Sequence, residues 1–128
     1  MREVKITRVG FITKSKVLAQ SLAETLRTRA DLRFEPVILG DYAQAPLDAE
    51  VLGIGIAVVD GDGDLPGALA VCTALRAAVP QCRLMLLLSP RQSGDSASAI
   101  EAKRAKRIDD FLFCDSSLDY LFAKLASM

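Results

Sequence analysis

The sequence predicts one α/β domain over residues 1–128, built on a doubly wound, five-stranded parallel sheet. Short β-branched or aliphatic runs alternate five times with longer segments whose apolar residues recur every three to four positions. The runs at residues 54–59 and 83–88 are apolar almost throughout, which is typical of strands covered on both faces. No repeat, low-complexity stretch or linker divides the chain. The predicted strands are residues 4–13, 33–39, 54–59, 83–88 and 111–114.

The first half of the chain begins with an alternating strand and an amphipathic helix. Ser15 or Thr13 can cap that helix, which ends at about Arg29. Pro36 indicates that the second strand lies at an edge of the sheet, because proline cannot donate to a ladder. A short helix is expected at residues 47–52, directly before the third strand.

The second half repeats the alternation. Pro66 is typical of the first turn of a helix, and Pro80 follows the end of that helix. The next helix, over residues 95–107, is only weakly apolar. Its main inward candidates are Ala97, Ile100 and Ala105. The last helix is amphipathic, with Leu118, Leu121, Phe122 and Leu125 on one face.

The composition excludes several kinds of chemistry. With no histidine, the chain cannot supply a Ser-His-Asp triad, a histidine metal site or an imidazole base. The 16 basic and 16 acidic side chains balance, which gives no overall reason to expect nucleic acid as a partner. The cysteines at 72, 82 and 114 form no CxxC pair, so we expect reduced thiols, two of them in apolar packing.

The sequence indicates a soluble, cytoplasmic protein. Its first residues alternate charges and contain no apolar stretch typical of a signal peptide. The longest apolar run, residues 84–88, is far too short to span a membrane. No glycine-rich phosphate loop follows the first strand, which disfavours dinucleotide and P-loop nucleotide binding.

Polar side chains gather where the predicted strands end, which is where doubly wound sheets carry their sites. The strand-end residues are Thr13, Lys14, Gly40, Asp41, Asp60, Ser89, Pro90, Cys114 and Asp115. A carboxylate at Asp60, anchored by a buried strand, suits a nucleophile toward a phosphoryl group or a metal ligand. The alternative is that Asp60, Asp62 and Asp64 form a turn and cap the next helix.

Three segments resemble bacterial response-regulator receiver domains. The stretch IAVVDGDGDLPG, residues 56–67, resembles the phosphoacceptor segment, with Asp60 as the acceptor. LMLLLS, residues 84–89, resembles the fourth strand and its terminal Thr/Ser, here Ser89. DDFLFCDSSLDYLFAKL, residues 109–125, resembles the fifth strand and last helix, with Phe111 at the switch aromatic. The resemblance covers the whole chain and implies the flavodoxin-like, CheY-like (βα)5 fold.

The chain departs from this family where the family binds phosphate and metal. The acidic pair that holds Mg²⁺ is replaced by Thr13 and Lys14, and an ammonium group there repels a cation. The family's lysine after the fifth strand is Cys114, and the proline after it is Asp115. Lys14 lies across the predicted cleft from Asp60 and can substitute for the metal only electrostatically.

The resemblance and the departures together predict an atypical receiver, not an enzyme and without a cofactor, that acts through protein–protein contacts. A histidine kinase or an output protein is the expected partner, a homodimer is a further expectation, and neither nucleic acid nor a membrane is expected to bind directly. The predicted contact surface lies on the fourth helix, fifth strand and fifth helix. It comprises Lys103, Lys106, Arg107, Asp115, Asp119 and Tyr120. The basic run at 103–107 has a second interpretation as a solvated helix end.

Two alternatives stay open. In the first, Asp60 still accepts a phosphoryl group, with Lys14, Asp62 or Asp64 and a Mg²⁺ ion supporting it in a non-standard arrangement. In the second, the domain is a flavodoxin-like enzyme or ligand-binding domain that uses Cys114 as nucleophile. That reading requires Lys14 to lower the pKa of the thiol.

Overall fold

The computed structural model describes residues 5–91 and 94–128. The strands β1 to β5 are Thr7–Ile12, Phe34–Leu39, Ile54–Asp60, Arg83–Leu88 and Asp110–Phe113. The helices α1 to α5 are Lys16–Thr28, Ala45–Leu52, Leu65–Ala78, Asp95–Arg104 and Leu118–Ala126. The predicted alternation of five strands and five helices is confirmed. Val4, the predicted start of the first strand, lies outside the described residues.

All neighbouring strands are parallel, in the order β2-β1-β3-β4-β5. Pro36 lies on β2 at one edge of the sheet, as the sequence predicts. The chain adds β2 on one side of β1 and β3 on the other, so the connections diverge between β1 and β3. That divergence opens a crevice at the carboxyl ends of these two strands.

Helices cover both faces of the sheet and bury two apolar layers. Alternate residues of each strand point to opposite faces. In β3, Ile56 and Val58 pack with residues of α1 and α5, whereas Ala57 and Val59 pack with α2, α3 and α4. Both layers are fully enclosed, which explains why the middle strands read as continuous apolar runs.

The helix starts follow the capping rules. The Ser15 hydroxyl accepts a hydrogen bond from the Leu18 amide at 3.1 Å, so Ser15 is the N-cap of α1. Asp64 accepts from the Gly67 amide at 2.9 Å and caps α3, with Pro66 in its first turn. No helix within the described residues is long and apolar enough to cross a bilayer.

The predicted inner face of α4 is wrong. Ala97, Ile100 and Ala105 are exposed, and the buried residues are Ala99 and Ala102. The helix has too few apolar residues for their spacing to indicate which of its faces is buried. The small side chains of Ala99 and Ala102 allow it to lie close to the sheet. α4 also ends at Arg104, three residues earlier than predicted.

Candidate functional site

The carboxyl ends of the central strands bring the predicted site residues to one edge of the sheet. Asp60 is the last residue of β3, and Thr13 directly follows β1 across the crevice. Ser89 follows β4, and Cys114 follows β5. Their common edge results from parallel strands ending together, as the sequence predicts.

The Asp60 carboxylate is buried, at 8% exposure, and both of its oxygens accept hydrogen bonds. The Thr13 hydroxyl donates to Oδ2 at 2.7 Å, and the Asp62 amide donates to Oδ1 at 3.0 Å. Thr13 Oγ1 itself accepts from the Ser15 amide at 3.1 Å, which orients the hydroxyl proton toward Asp60. Charge-assisted bonds of this kind compensate a buried carboxylate without a metal.

Tyr42 organises the other side of the crevice, and the strand-end argument missed it. Its hydroxyl donates to the main-chain carbonyl of Asp60 at 2.6 Å, and the Lys14 ammonium lies over its ring, 5.2 Å from the centroid. Burial, followed by the negative charges of Asp60 and Asp64, raises the pKa of Tyr42 well above its usual value. The signal in the sequence was weak: Tyr42 lies three residues beyond Leu39, the last residue of β2, and directly follows the strand-end pair Gly40 and Asp41.

The segment after Asp60 runs close to β4. The Gly61 amide donates to the Leu87 carbonyl at 2.9 Å, and a Cβ on Gly61 would lie 2.8 Å from that oxygen. Glycine is therefore required where the chain turns out of the sheet. The interpretation of the acidic residues as a turn and cap is confirmed for Asp64, while Asp60 is held inside the crevice by separate contacts.

The crevice forms a pocket of about 310 Å³. It is lined by Lys14, Ser15, Tyr42, Asp60, Asp62 and Asp64. Lys14 and Asp60 thus line the same pocket, but the described residues contain no ion pair between the two. Ser89 and Cys114 do not line the pocket.

These residues do not fit a Mg²⁺ ion. Magnesium prefers several oxygen ligands, usually carboxylates, in octahedral geometry. The Thr13 hydroxyl, which stands where receivers have an acidic residue, already donates its proton to Asp60. Lys14 brings a positive charge to the same pocket. Within the described ranges, no three acidic or cysteine side chains are grouped closely enough to hold a metal ion.

Ser89 and Phe111 are the other two positions that the resemblance matches. Ser89 is buried at 5% exposure, and its hydroxyl accepts from the Arg91 amide at 3.3 Å. Phe111 is half-buried on β5 and packs against the layer formed with α2, α3 and α4.

The alternative with Cys114 as nucleophile requires a lowered thiol pKa, and the structure gives a raised one. Burial raises the pKa of its thiol, and the carboxylates of Asp62, Asp60 and Asp115 raise it further. Lys14 was expected to lower it, but its ammonium is held over the Tyr42 ring. A thiol with a raised pKa is a poor nucleophile at neutral pH. Cys72 and Cys82 are buried, as the composition predicted.

The predicted contact surface separates into two groups. Lys103 of α4 and Lys124 of α5 both donate to Asp110 on β5, at 3.2 and 3.0 Å. Lys124 also lies 6.0 Å from the ring centroid of Tyr120. Ile100, Phe113 and Tyr120 are exposed around this group. We call these six residues the β5 surface.

Two of the other predicted surface residues, Arg107 and Asp119, contact different helices. Arg107 donates to the Thr73 hydroxyl at 3.1 Å and so turns toward α3. Asp119 accepts from Arg29 at 3.2 Å and so turns toward α1. Placing Arg107 and Asp119 on one face with Tyr120 is therefore wrong, because position along a helix does not fix which neighbour a long side chain reaches. Lys106 and Asp115 are exposed.

Solved structures with this fold are numerous among signalling proteins. Chemotaxis protein CheY4 of Vibrio cholerae superposes with a TM-score of 0.77 and 14% identity, over 96% of this chain and 98% of that one. A CheY-like receiver domain protein of Methanospirillum hungatei gives 0.76 and 12%, over 96% and 93%. The chain has the receiver fold. A protein of Rhodopirellula baltica described as an adenylate cyclase gives 0.81 and 17%, over 96% and 87%.

No protein-family model matches the chain, and no curated protein sequence matches it. The receiver fold is thus retained at identities of 12–17% in these three structures. At that level of identity, the likeness shows the fold. Within the receiver fold, Asp60 occupies the expected end of β3, while Thr13, Lys14 and Cys114 replace the residues that the resemblance implied around it.

Proposed function

We propose that this chain is a receiver-like signalling module that acts through protein–protein contacts, with Mg²⁺-dependent phosphorylation weak or absent. The observation that carries the proposal is the state of Asp60. Both carboxylate oxygens accept bonds from the chain itself, from Thr13 and from Asp62. Each oxygen of the residue that resembles a phosphoacceptor therefore already accepts a bond, and no three acidic or cysteine side chains within the described ranges are grouped closely enough to hold the metal ion that phosphoryl transfer uses.

The charge pattern around Asp60 also opposes a bound phosphoryl group. Phosphoryl transfer is catalysed mainly by cations that neutralise the equatorial oxygens. Here Cys114 stands in place of the family's lysine, and Asp115 adds a negative charge beside it. The remaining cation, Lys14, is held over Tyr42. The proposal accordingly assigns the chain no catalytic activity of its own and no cofactor.

The β5 surface supports a role in binding a protein partner. The Asp110 carboxylate holds Lys103 and Lys124, so helices on both faces of the sheet are tied together across its edge strand. Three large apolar side chains are exposed around this ion-pair group. A mixed apolar and charged patch of this kind suits a kinase, an output protein or a second copy of the chain. We place the protein in the cytoplasm, where its free thiols stay reduced.

One alternative has a specific observation in its favour. Lys14 and Asp60 line the same small pocket, so a rotation of the Lys14 side chain could bring its ammonium to an incoming phosphoryl group. In that case Asp60 would be a phosphoacceptor in a non-standard charge arrangement.

Intact-mass measurement separates the two functions. The chain is incubated with Mg²⁺ and acetyl phosphate, and its mass is compared with that of Asp60→Asn. We expect the same absence of a phosphoryl adduct in both. The matched positive control carries Thr13→Asp, Lys14→Asp and Cys114→Lys, which restore the receiver pattern, and is expected to gain an adduct. An adduct on the unaltered chain that disappears in Asp60→Asn would establish the alternative.

A further inference from the structure

A second and larger groove lies at the opposite end of the sheet from Asp60, beside the amino ends of β1, β3 and β4. Its volume is about 790 Å³, within the range of small-molecule sites. Its walls come from the strand starts, the segment before β4 and the last turn of α5. The lining residues include Arg8, Phe34, Gly53, Gly55, Arg83 and Leu125.

The floor of the groove is opened by a β-bulge. Arg8 pairs with Ile54 and the next residue of β1 pairs with Ile56, so Gly55 is an extra residue on β3. A Cβ on Gly55 would lie 2.8 Å from Thr7 Cγ2. Gly53, at φ +66°, caps α2 just before it. Two residues without side chains thus interrupt the floor, and bulges commonly occur next to functional sites.

Among residues 5–91 and 94–128, the charged side chains that line the groove all have the same sign. They are Lys5, Arg8 and Arg83, and no aspartate or glutamate of those ranges lines it. The Arg8 guanidinium is fixed in place, because it donates to the Leu52 carbonyl at 2.7 Å and contacts Glu35 at 3.4 Å. Arg83 is exposed and has no ion-pair partner within residues 5–91 and 94–128. A guanidinium of this kind is suited to a carboxylate or sulfonate.

Apolar groups lie between the cations. Strand alternation places Arg83 on the face that packs against α1 and α5, and Arg8 on the opposite face. Phe34 and Leu125 line the groove on the α1 and α5 side, and Ile6 leaves 59% of its surface to solvent nearby. The groove therefore offers an apolar floor flanked by positive charge on both faces of the sheet.

We propose that this groove binds an apolar organic anion, that is, a carboxylate or sulfonate carried on an aliphatic or aromatic body. Burying the body gains from the apolar floor, and the anionic group pairs with Arg83. This site is independent of Asp60 and of the proposed function.

The test uses 8-anilinonaphthalene-1-sulfonate as a probe of this class. Binding is followed by fluorescence and by the backbone amide signals of the glycines in a ¹⁵N-labelled chain. Gly53 and Gly55 report on the groove, while Gly61 and Gly63 report on the Asp60 pocket. We expect one saturable site that shifts Gly53 and Gly55. Arg83→Gln weakens it about tenfold, as expected for losing a charge-assisted bond.

The matched control is Arg104→Gln, at the exposed end of α4, which is expected to bind the probe as the unaltered chain does. A second comparison appends two glycines after Met128, which moves the main-chain carboxylate away from the groove, and binding is expected to persist. The proposal is overturned if binding is not saturable, if Arg83→Gln binds as tightly as Arg104→Gln, or if the probe shifts Gly61 and Gly63 instead of Gly53 and Gly55.

Discussion

Replacing Thr13 by valine removes the bond on which the account of Asp60 rests. Thr13 and Asp60 are 4% and 8% exposed, so the bond between the hydroxyl and Oδ2 is largely buried, in the wall of the pocket. A hydrogen bond to a charged group contributes roughly 1.5–3 kcal/mol, and leaving a buried acceptor unpaired accounts for much of that. We therefore expect the free energy of unfolding to fall by about 2 kcal/mol, a large share of the 5–15 kcal/mol typical of a domain.

Urea unfolding at neutral pH measures this change. With a slope of roughly 1–3 kcal/mol per molar urea, the midpoint falls by about 1 M. Thr28→Val is the matched control, because its hydroxyl donates only to the Thr25 carbonyl on an exposed helix end. We expect it to change stability by less than about 0.5 kcal/mol. In an Asp60→Asn background, Thr13→Val is expected to lower the free energy of unfolding by less, because the acceptor at position 60 then carries no charge.

Two results would refute this reasoning. The first is a Thr13→Val variant that loses no more stability than Thr28→Val. The second is an equal loss with and without the charge at position 60, which would show that the hydroxyl acts through packing and not through the carboxylate.

Three further predictions follow from the same contacts. Tyr42→Phe removes a bond to a main-chain carbonyl, so we expect the free energy of unfolding in urea to fall by about 1 kcal/mol. The absorbance difference between the two proteins should also show that Tyr42 is un-ionised at about pH 10, where a free tyrosine ionises. Ionisation of Tyr42 at that pH would contradict its raised pKa. Burial alone would raise the pKa of Asp110, but hydrogen bonds from Lys124, the Phe111 amide and Lys103 outweigh it and leave that pKa lowered. The contribution of the Asp110 carboxylate to folding stability is therefore present above about pH 4 and is lost as the pH falls below it. The unaltered chain is therefore expected to exceed Asp110→Asn in stability at pH 7, and the gap should narrow in acid; a constant gap would contradict the ion-pair explanation. Cys114 is expected to react with iodoacetamide at neutral pH more slowly than free cysteine, because its pKa is raised, and faster reaction would restore the nucleophile hypothesis.

The fold could be predicted from the sequence because the apolar runs, the position of the proline and the capping residue all indicated the same structure. The apolar runs of β3 and β4 are buried on both faces, Pro36 lies at an edge, and Ser15 caps α1. The inner face of α4 could not be predicted, since a helix with little apolar character is oriented by the surfaces around it. Ala99 and Ala102 face inward and Ile100 outward, against what hydrophobicity favours.

The sequence was enough to predict where in the fold the candidate site lies, but it predicted only some of the contacts between its side chains. Parallel strands fix where Thr13 and Asp60 lie, so their proximity follows from the strand ends. The direction of a long side chain does not follow, because it depends on partners distant in sequence. Lys14 lies over Tyr42, and Arg107 reaches α3, contacts that no local pattern encodes.

The Asp60 carboxylate is held by bonds from Thr13 and Asp62, so the pocket is proposed to bind neither a metal ion nor a phosphoryl group. The most direct test adds Mg²⁺ and beryllofluoride, a phosphoryl mimic, to the ¹⁵N-labelled chain and follows the amide signals of Gly61 and Gly63 beside Asp60. We expect these signals to stay unchanged, both in the unaltered chain and in Asp60→Asn. Saturable shifts at Gly61 and Gly63 that disappear in Asp60→Asn would contradict it and show that the pocket accepts the metal and the phosphoryl group.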